Sequence, residues 1–254
     1  MTITYFIVPY KQKDDAKKLG AKWDGNKKLW YADNTNKKNK LLEMFEEYKS
    51  FDNIIGENRE FNGSDLFIDL VPETSWFNNV RSCIYEKDWL RIRKYAYERA
   101  NYKCECCGLF CKFEKEYDDE DFEDDSDEEL EQECNNEFNK KKELKKWNTI
   151  RLEAHERWSY DNINKIQKLE RIIALCHRCH SVTHYGLTEL KGLSNHADKH
   201  LMKINKWNKE QLLNHRKEQW KIWAERNKVK WNIDVSIISN SGIKLKDKNT
   251  SSSF

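Results

Sequence analysis

Apolar and polar side chains alternate from Thr2 to Tyr10, with Ile3, Tyr5 and Ile7 in phase, and this period of two predicts a strand that ends near Pro9. Asp14 to Leu19 predicts a short helix closed by Gly20, where a helix C-terminus favours glycine. Lys22 to Ala32 predicts a hairpin turning at Asp24-Gly25-Asn26 and packed by Trp23, Leu29 and Tyr31. Asn39 to Tyr48 predicts a second helix. Residues 50–63 are polar and carry glycines, which marks a linker. Beyond it, Asp65 to Val71 predicts a strand stopped by Pro72, and Glu86 to Tyr102 an amphipathic helix. That helix would bury Trp89, Ile92 and Ala96 and leave Arg91, Arg93, Lys94 and Arg99 on its other faces. Asn208 to Asn227 predicts a helix with Leu213, Trp220 and Trp223 inward. Trp231, Ile233, Val235 and Ile237 alternate as in a strand over Trp231 to Ile238. The pattern defines an α+β protein: a small α+β domain over 1–49, a linker over 50–63, a larger domain over 64–238, and a Ser-rich disordered tail over 239–254.

A chain of 254 residues can form one or two domains with real cores. It holds no run of the ~20 apolar residues that a membrane span needs, and its first residues lack the basic-then-apolar layout of a secretion signal. These features predict an intracellular protein, in cytoplasm or nucleus, with no membrane association. The net charge is only +2, but it averages very uneven parts. Glu114 to Glu137 is dominated by Asp and Glu, and the remainder is basic, as a phosphate-binding surface or a merely solvated one would be. The segment 112–147 begins acidic and ends basic at Lys140 to Lys146. It has too few apolar residues to offset the entropy of ordering, which predicts a disordered insertion. Its acidic half could shield the basic surface, recruit a basic protein partner, or be a tolerated loop.

Eight cysteines in a reducing compartment point to metal ligation when they come in CxxC pairs. Cys104-x-x-Cys107 and Cys176-x-x-Cys179 form two such knuckles, and together they supply the four thiolates that structural zinc prefers. Cys106 offers an alternative register and Cys111 a substitute ligand. Cys83 and Cys134 have no assigned partner. Directly after Cys179 the spacing is again informative: His180 and His184 are four apart, so on a helix they lie on one face and can reach one ion.

Tyr102-Lys103-Cys104-Glu105-Cys106-Cys107-Gly108, Leu152-Glu153-Ala154-His155-Glu156, and Ala174-Leu175-Cys176-His177-Arg178-Cys179-His180-Ser181-Val182-Thr183-His184 together resemble the zinc-stabilised HNH endonucleases, the ββα-metal family. The resemblance extends over 64–238. It implies a β-hairpin and helix that clamp a divalent ion (Mg2+, Mn2+, Ni2+ or Zn2+) beside the four-cysteine zinc. By position, His155 would join His180 and His184 as the third ligand. Where the family carries its general-base histidine this chain has Glu156, and its usual asparagine falls near Arg171. A carboxylate can serve as a base and a guanidinium can neutralise a phosphate, so His155, Glu156 and Arg171 are the candidate catalytic residues. Separately, Val8-Pro9-Tyr10, Ala16 to Asp24 and Trp30-Tyr31 resemble a small domain of unknown function found in plasmid primase-like proteins. That resemblance implies an accessory role and brings no catalytic residues.

Three function classes follow: a metal-dependent endonuclease cutting DNA, a catalytically inactive zinc-containing nucleic-acid-binding module, and an interaction protein that uses the acidic loop. A nuclease needs the three histidines gathered beside basic surface, a binding module needs only the surface, and an interaction protein needs neither.

Overall fold

The computed structural model describes residues 3–25, 29–45, 54–111 and 143–246. The insertion over 112–142, the tail over 247–254, the linker residues 50–53 and the turn residue Asn26 lie outside the described residues. The chain is α+β and divides into two compact units, one drawn from 1–57, 78–95 and 235–254 and the other from 58–77 and 96–234.

In the first unit, β1 (Thr4–Phe6), β3 (Leu29–Ala32) and β2 (Lys22–Asp24) form an antiparallel sheet in the order β1-β3-β2. The helices α1 (Lys13–Lys18) and α2 (Thr35–Phe45) accompany it. Period-two alternation sends Phe6, Trp30 and Ala32 to one face, where they meet Ala16, Leu41 and Phe45 in a dry cluster. Gly20 takes φ +89°, a left-handed conformation that ends α1 without a Cβ penalty. Trp30, not Tyr31, is the buried aromatic of the hairpin. Trp23, on the edge strand β2, stays half exposed with its ring against that of Trp30. α3 (Val80–Cys83), the first part of α4 (Glu86–Arg99) and α10 (Ser236–Asn240) complete this unit.

The end of the chain differs from the pattern reading. The strand expected over Trp231–Ile238 is a three-residue β6 (Asn232–Asp234) followed by α10, in which Ile237 and Ile238 are buried. Residues 239–246 are ordered rather than tail: Ile243 is buried, Ser241 Oγ accepts from Ile55 N at 2.8 Å, and Lys246 N donates to Cys83 O at 2.7 Å.

The second unit is built on a long hairpin, β4 (Leu152–Asp161) and β5 (Ile166–Cys176), with β6 added parallel to β5. From Arg171 to Cys176 every β5 residue is buried, so both faces of the strand are covered there. Each fully buried aliphatic side chain such as Ile172 or Ile173 contributes about 1.5–3 kcal/mol. The hairpin leads into α6 (His177–Thr183), α7 (Tyr185–Leu190), α8 (Ser194–Asn205) and α9 (Lys209–Arg226). Asn208 caps α9 with a reciprocal box through Gln211. On α9 the buried residue is Leu212 and Leu213 is exposed, one position off the predicted stripe. A short helix, α5, covers 143–147, and its Trp147 is buried against the rings of His196 and His200, which places that residue in the fold and not in a loop.

Two further segments depart from the sequence expectation for one reason. The predicted strand over Asp65–Val71 is extended but pairs with no strand. Its backbone is satisfied by remote partners instead: Asp69 N donates to Thr183 O, Ile68 N to His215 Nε2, and Asn205 Nδ2 to Leu66 O. Residues 58–63, read as linker, belong to the second unit. Their carbonyls accept from two buried guanidinium groups, Arg157 to Asn62 and Gly63 and Arg171 to Arg59 and Gly63. The basic side of α4 is likewise not a solvated face. Lys94 is buried, and Arg99 donates to Glu105 and to Ile172 O.

Candidate metal centres

After α4 the chain turns through two left-handed residues, Asn101 (φ +50°) and Tyr102 (φ +56°), into a tight loop. Cys104 N donates to Leu109 O and Gly108 N to Cys104 O, both at 2.9 Å, and Gly108 takes φ +72°, so the knuckle turns back on itself. Glu105, between the two thiols, docks the knuckle on β5: its amide donates to Ala174 O and its carboxylate accepts from Ala174 N, each at 2.9 Å. The second knuckle lies where β5 becomes α6, with Cys176 as the residue before the helix.

The Sγ atoms of Cys104, Cys107, Cys176 and Cys179 lie within 4.8 Å of one another, and Cys107 and Cys176 are 3.6 Å apart. Tetrahedral zinc with Zn–S bonds of about 2.3 Å sets sulfurs about 3.8 Å apart. All the described cysteines are free thiols, so the four-cysteine cluster fits a structural metal such as zinc. His200 Nε2 lies 3.2 Å from Cys179 Sγ and can hydrogen-bond a thiolate there, holding the ligand from outside. Cys106 points elsewhere, within 3.6 Å of an Arg157 nitrogen, and burial pushes its thiol up to about 12. Cys111 is buried and also raised by burial, to about 11. The registers left open by the sequence thus resolve to the two CxxC pairs.

A second cluster stands beside the first. His155 on β4, His180 on α6 and His184 at the C-cap of α6 bring one ring nitrogen each within 4.8 Å of the others. Their centroids are 5.4 Å (155–180), 4.9 Å (155–184) and 4.5 Å (180–184) apart. His155 is buried, while His180 and His184 keep partial exposure. Burial, then the neighbouring His184 and His180, hold the His155 ring well below its ordinary pKa and so neutral, the form that ligates metal. Its Nε2 is buried without a hydrogen-bond partner. A buried polar atom with no partner costs about 1–3 kcal/mol, and a cation between the three rings would satisfy it. The donor set and this orphaned nitrogen fit a divalent ion.

The other two candidate residues do not join this cluster. Strand alternation sends Glu156 to the face of β4 away from His155. Arg171 is 4% exposed and is consumed by Glu105 and two backbone carbonyls, so it cannot meet a phosphate. Its role is to tie the 59–63 segment to the first knuckle.

Glu153 is the residue that sequence reasoning passed over. One carboxylate oxygen meets His177 Nδ1 at 2.6 Å and the other His180 Nδ1 at 2.5 Å, and Arg151 Nε donates to the first at 2.9 Å. Burial alone would raise this carboxyl, but His180 and His177 hold it well below the usual range. The signal was present: Glu153 stands two residues before His155 and therefore on the same strand face. A cleft of about 600 Å³ opens elsewhere in this unit, with Phe67, Asp69, Trp158, Tyr160 and Arg226 in its wall. None of the seven clustered cysteines and histidines borders it.

A family model described as a domain of unknown function (DUF5710) matches residues 4–44, the stretch from β1 to α2. No curated protein and no solved structure matches the chain. Among the described residues, no helix is long and apolar enough to cross a membrane.

Proposed function

We propose that the second unit is an HNH-like, metal-dependent endonuclease that hydrolyses phosphodiester bonds in DNA. The observation that carries this reading is the convergence of His155, from a hairpin strand, with His180 and His184, from the helix directly after that hairpin. The four-cysteine cluster sets the start of the helix and so fixes where those two rings stand. Bound there, a divalent ion such as Mg2+, Mn2+, Ni2+ or Zn2+ would polarise a phosphate oxygen and stabilise the charge on the leaving oxygen. The three histidines would hold such an ion, and His180 and His184, the partly exposed pair, would stand on the side open to substrate and water.

The placements of Glu156 and Arg171 favour a second reading, a zinc-containing nucleic-acid-binding module without turnover. Plasmid nicking in the presence of each of the four metals separates the two. The endonuclease reading expects nicking by the wild type with at least one metal. It further expects a loss of roughly 10²–10³-fold in His155→Ala or His184→Ala, as when one charge-stabilising contact is removed, with zinc content and DNA retention unchanged. A wild-type protein that retains DNA but nicks with none of the metals leaves the binding module.

A further inference from the structure

We infer that Glu153 is the positioning residue of the histidine centre, fixing the proton of His180 on Nδ1 so that Nε2 is the atom presented to a metal. The carboxylate is acceptor-only, and both of its oxygens are engaged by ring nitrogens: His180 Nδ1 at 2.5 Å and His177 Nδ1 at 2.6 Å. Each of those nitrogens must therefore carry its proton, and in a neutral imidazole the opposite nitrogen is then the free donor pair. The same contact fixes the ring plane of His180, whose centroid lies 4.5 Å from His184 and 5.4 Å from His155. Glu153 also sits two residues from His155 on β4, so one strand face carries a ligand and the group that aims a second ligand on the facing helix. An outer carboxylate of this kind orients a ligating histidine and raises its basicity, and its loss costs 10–100-fold in metal affinity in known centres.

This inference rests on the proposed metal role of the three histidines for its meaning, and its tests are chosen to fail separately from that role. The first is the tautomer of His180, read from ring nitrogen shifts in wild-type protein carrying only the cysteine-bound zinc. The expected result is Nδ1–H on both His177 and His180; a proton on Nε2 of His180 overturns the inference with no variant needed. The second is calorimetric titration of the same protein with Ni2+. Glu153→Gln replaces two acceptors by one acceptor and one N–H donor, so His177 and His180 compete for a single oxygen. The Kd for Ni2+ should rise about 10–100-fold, with cysteine-bound zinc retained. Adding His177→Phe to Glu153→Gln frees that oxygen for His180 and should recover part of the affinity, whereas His177→Phe alone should leave it near wild type. A Glu153→Gln protein that binds Ni2+ as tightly as wild type overturns the inference and leaves the metal centre standing. A wild type that binds no Ni2+ removes the metal centre, and the tautomer alone then decides the role of Glu153.

Discussion

Glu105 provides the sharpest test of how the zinc frame is held. Its carboxylate accepts from Arg99 at 2.7 Å, from Arg171, and from Ala174 N at 2.9 Å. The three side chains are 9% (Arg99), 5% (Arg171) and 19% (Glu105) exposed. Glu105→Gln keeps the shape but removes the charge these two guanidinium groups share, and breaking one partner of a buried pair costs about 3–5 kcal/mol. In a domain of this size about 2–4 °C of Tm accompanies each kcal/mol, so the melting point should fall roughly 6–20 °C. Urea unfolding followed by tryptophan fluorescence, with zinc content measured alongside, reads the loss directly. Arg171→Met should also destabilise, and the double variant should be less unstable than the sum of the two by about 0.5–3 kcal/mol, since the groups share one network. If Glu105→Gln unfolds within about 0.5 kcal/mol of wild type, a change expected of an ordinary surface position, the ion network is not what holds the knuckle. If Arg171→Met weakens DNA retention and leaves unfolding unchanged, the buried-clamp account of Arg171 is wrong.

Two other outcomes follow from the same structure. The purified protein should hold about one zinc through dialysis, and Cys104→Ala or Cys179→Ala should lose it and unfold the second unit. A structural zinc is worth about 10–16 kcal/mol in small zinc domains, against a total domain stability of about 5–15 kcal/mol, and folded, soluble protein without metal would refute this. Asp69 should impose a pH slope: burial, against the opposing effect of Arg226, raises its carboxyl above the ordinary 3.8. The folded protein then binds more protons than the unfolded chain in the interval between 3.8 and the raised value, and stability falls as pH rises through it. The urea midpoint of Asp69→Asn should gain on wild type across that interval, and a constant difference would refute the assignment.

Much of this protein was legible in short-range pattern. The two CxxC knuckles are local turns, and a turn needs only its own residues, so the sequence identified the four cysteines that the fold gathers. His180 and His184 are placed by one helical turn, whereas the hairpin of β4 and β5 was implied by the resemblance and not by period two, since β5 is buried on both faces from Arg171 to Cys176. The first hairpin, with α1 and α2 around it, was legible for the same reason.

What the sequence could not decide is which distant group satisfies each backbone amide and each charge. Asp65–Val71 alternates like a strand, yet its partners are a threonine carbonyl, a histidine ring and an asparagine amide more than a hundred residues away. Residues 58–63 look like a linker because they are polar, and they are ordered because Arg157 and Arg171 donate to their carbonyls. Val235, Ile237 and Ile238 have a spacing that serves strand or helix alike, and packing chose the helix. Arg171 and Glu153 carry charges that composition assigns to the surface. Tertiary structure buries Arg171 and partly buries Glu153 because a partner of opposite charge or a pair of ring N–H donors meets each one there, and an ionised group leaves water only when such partners are in place.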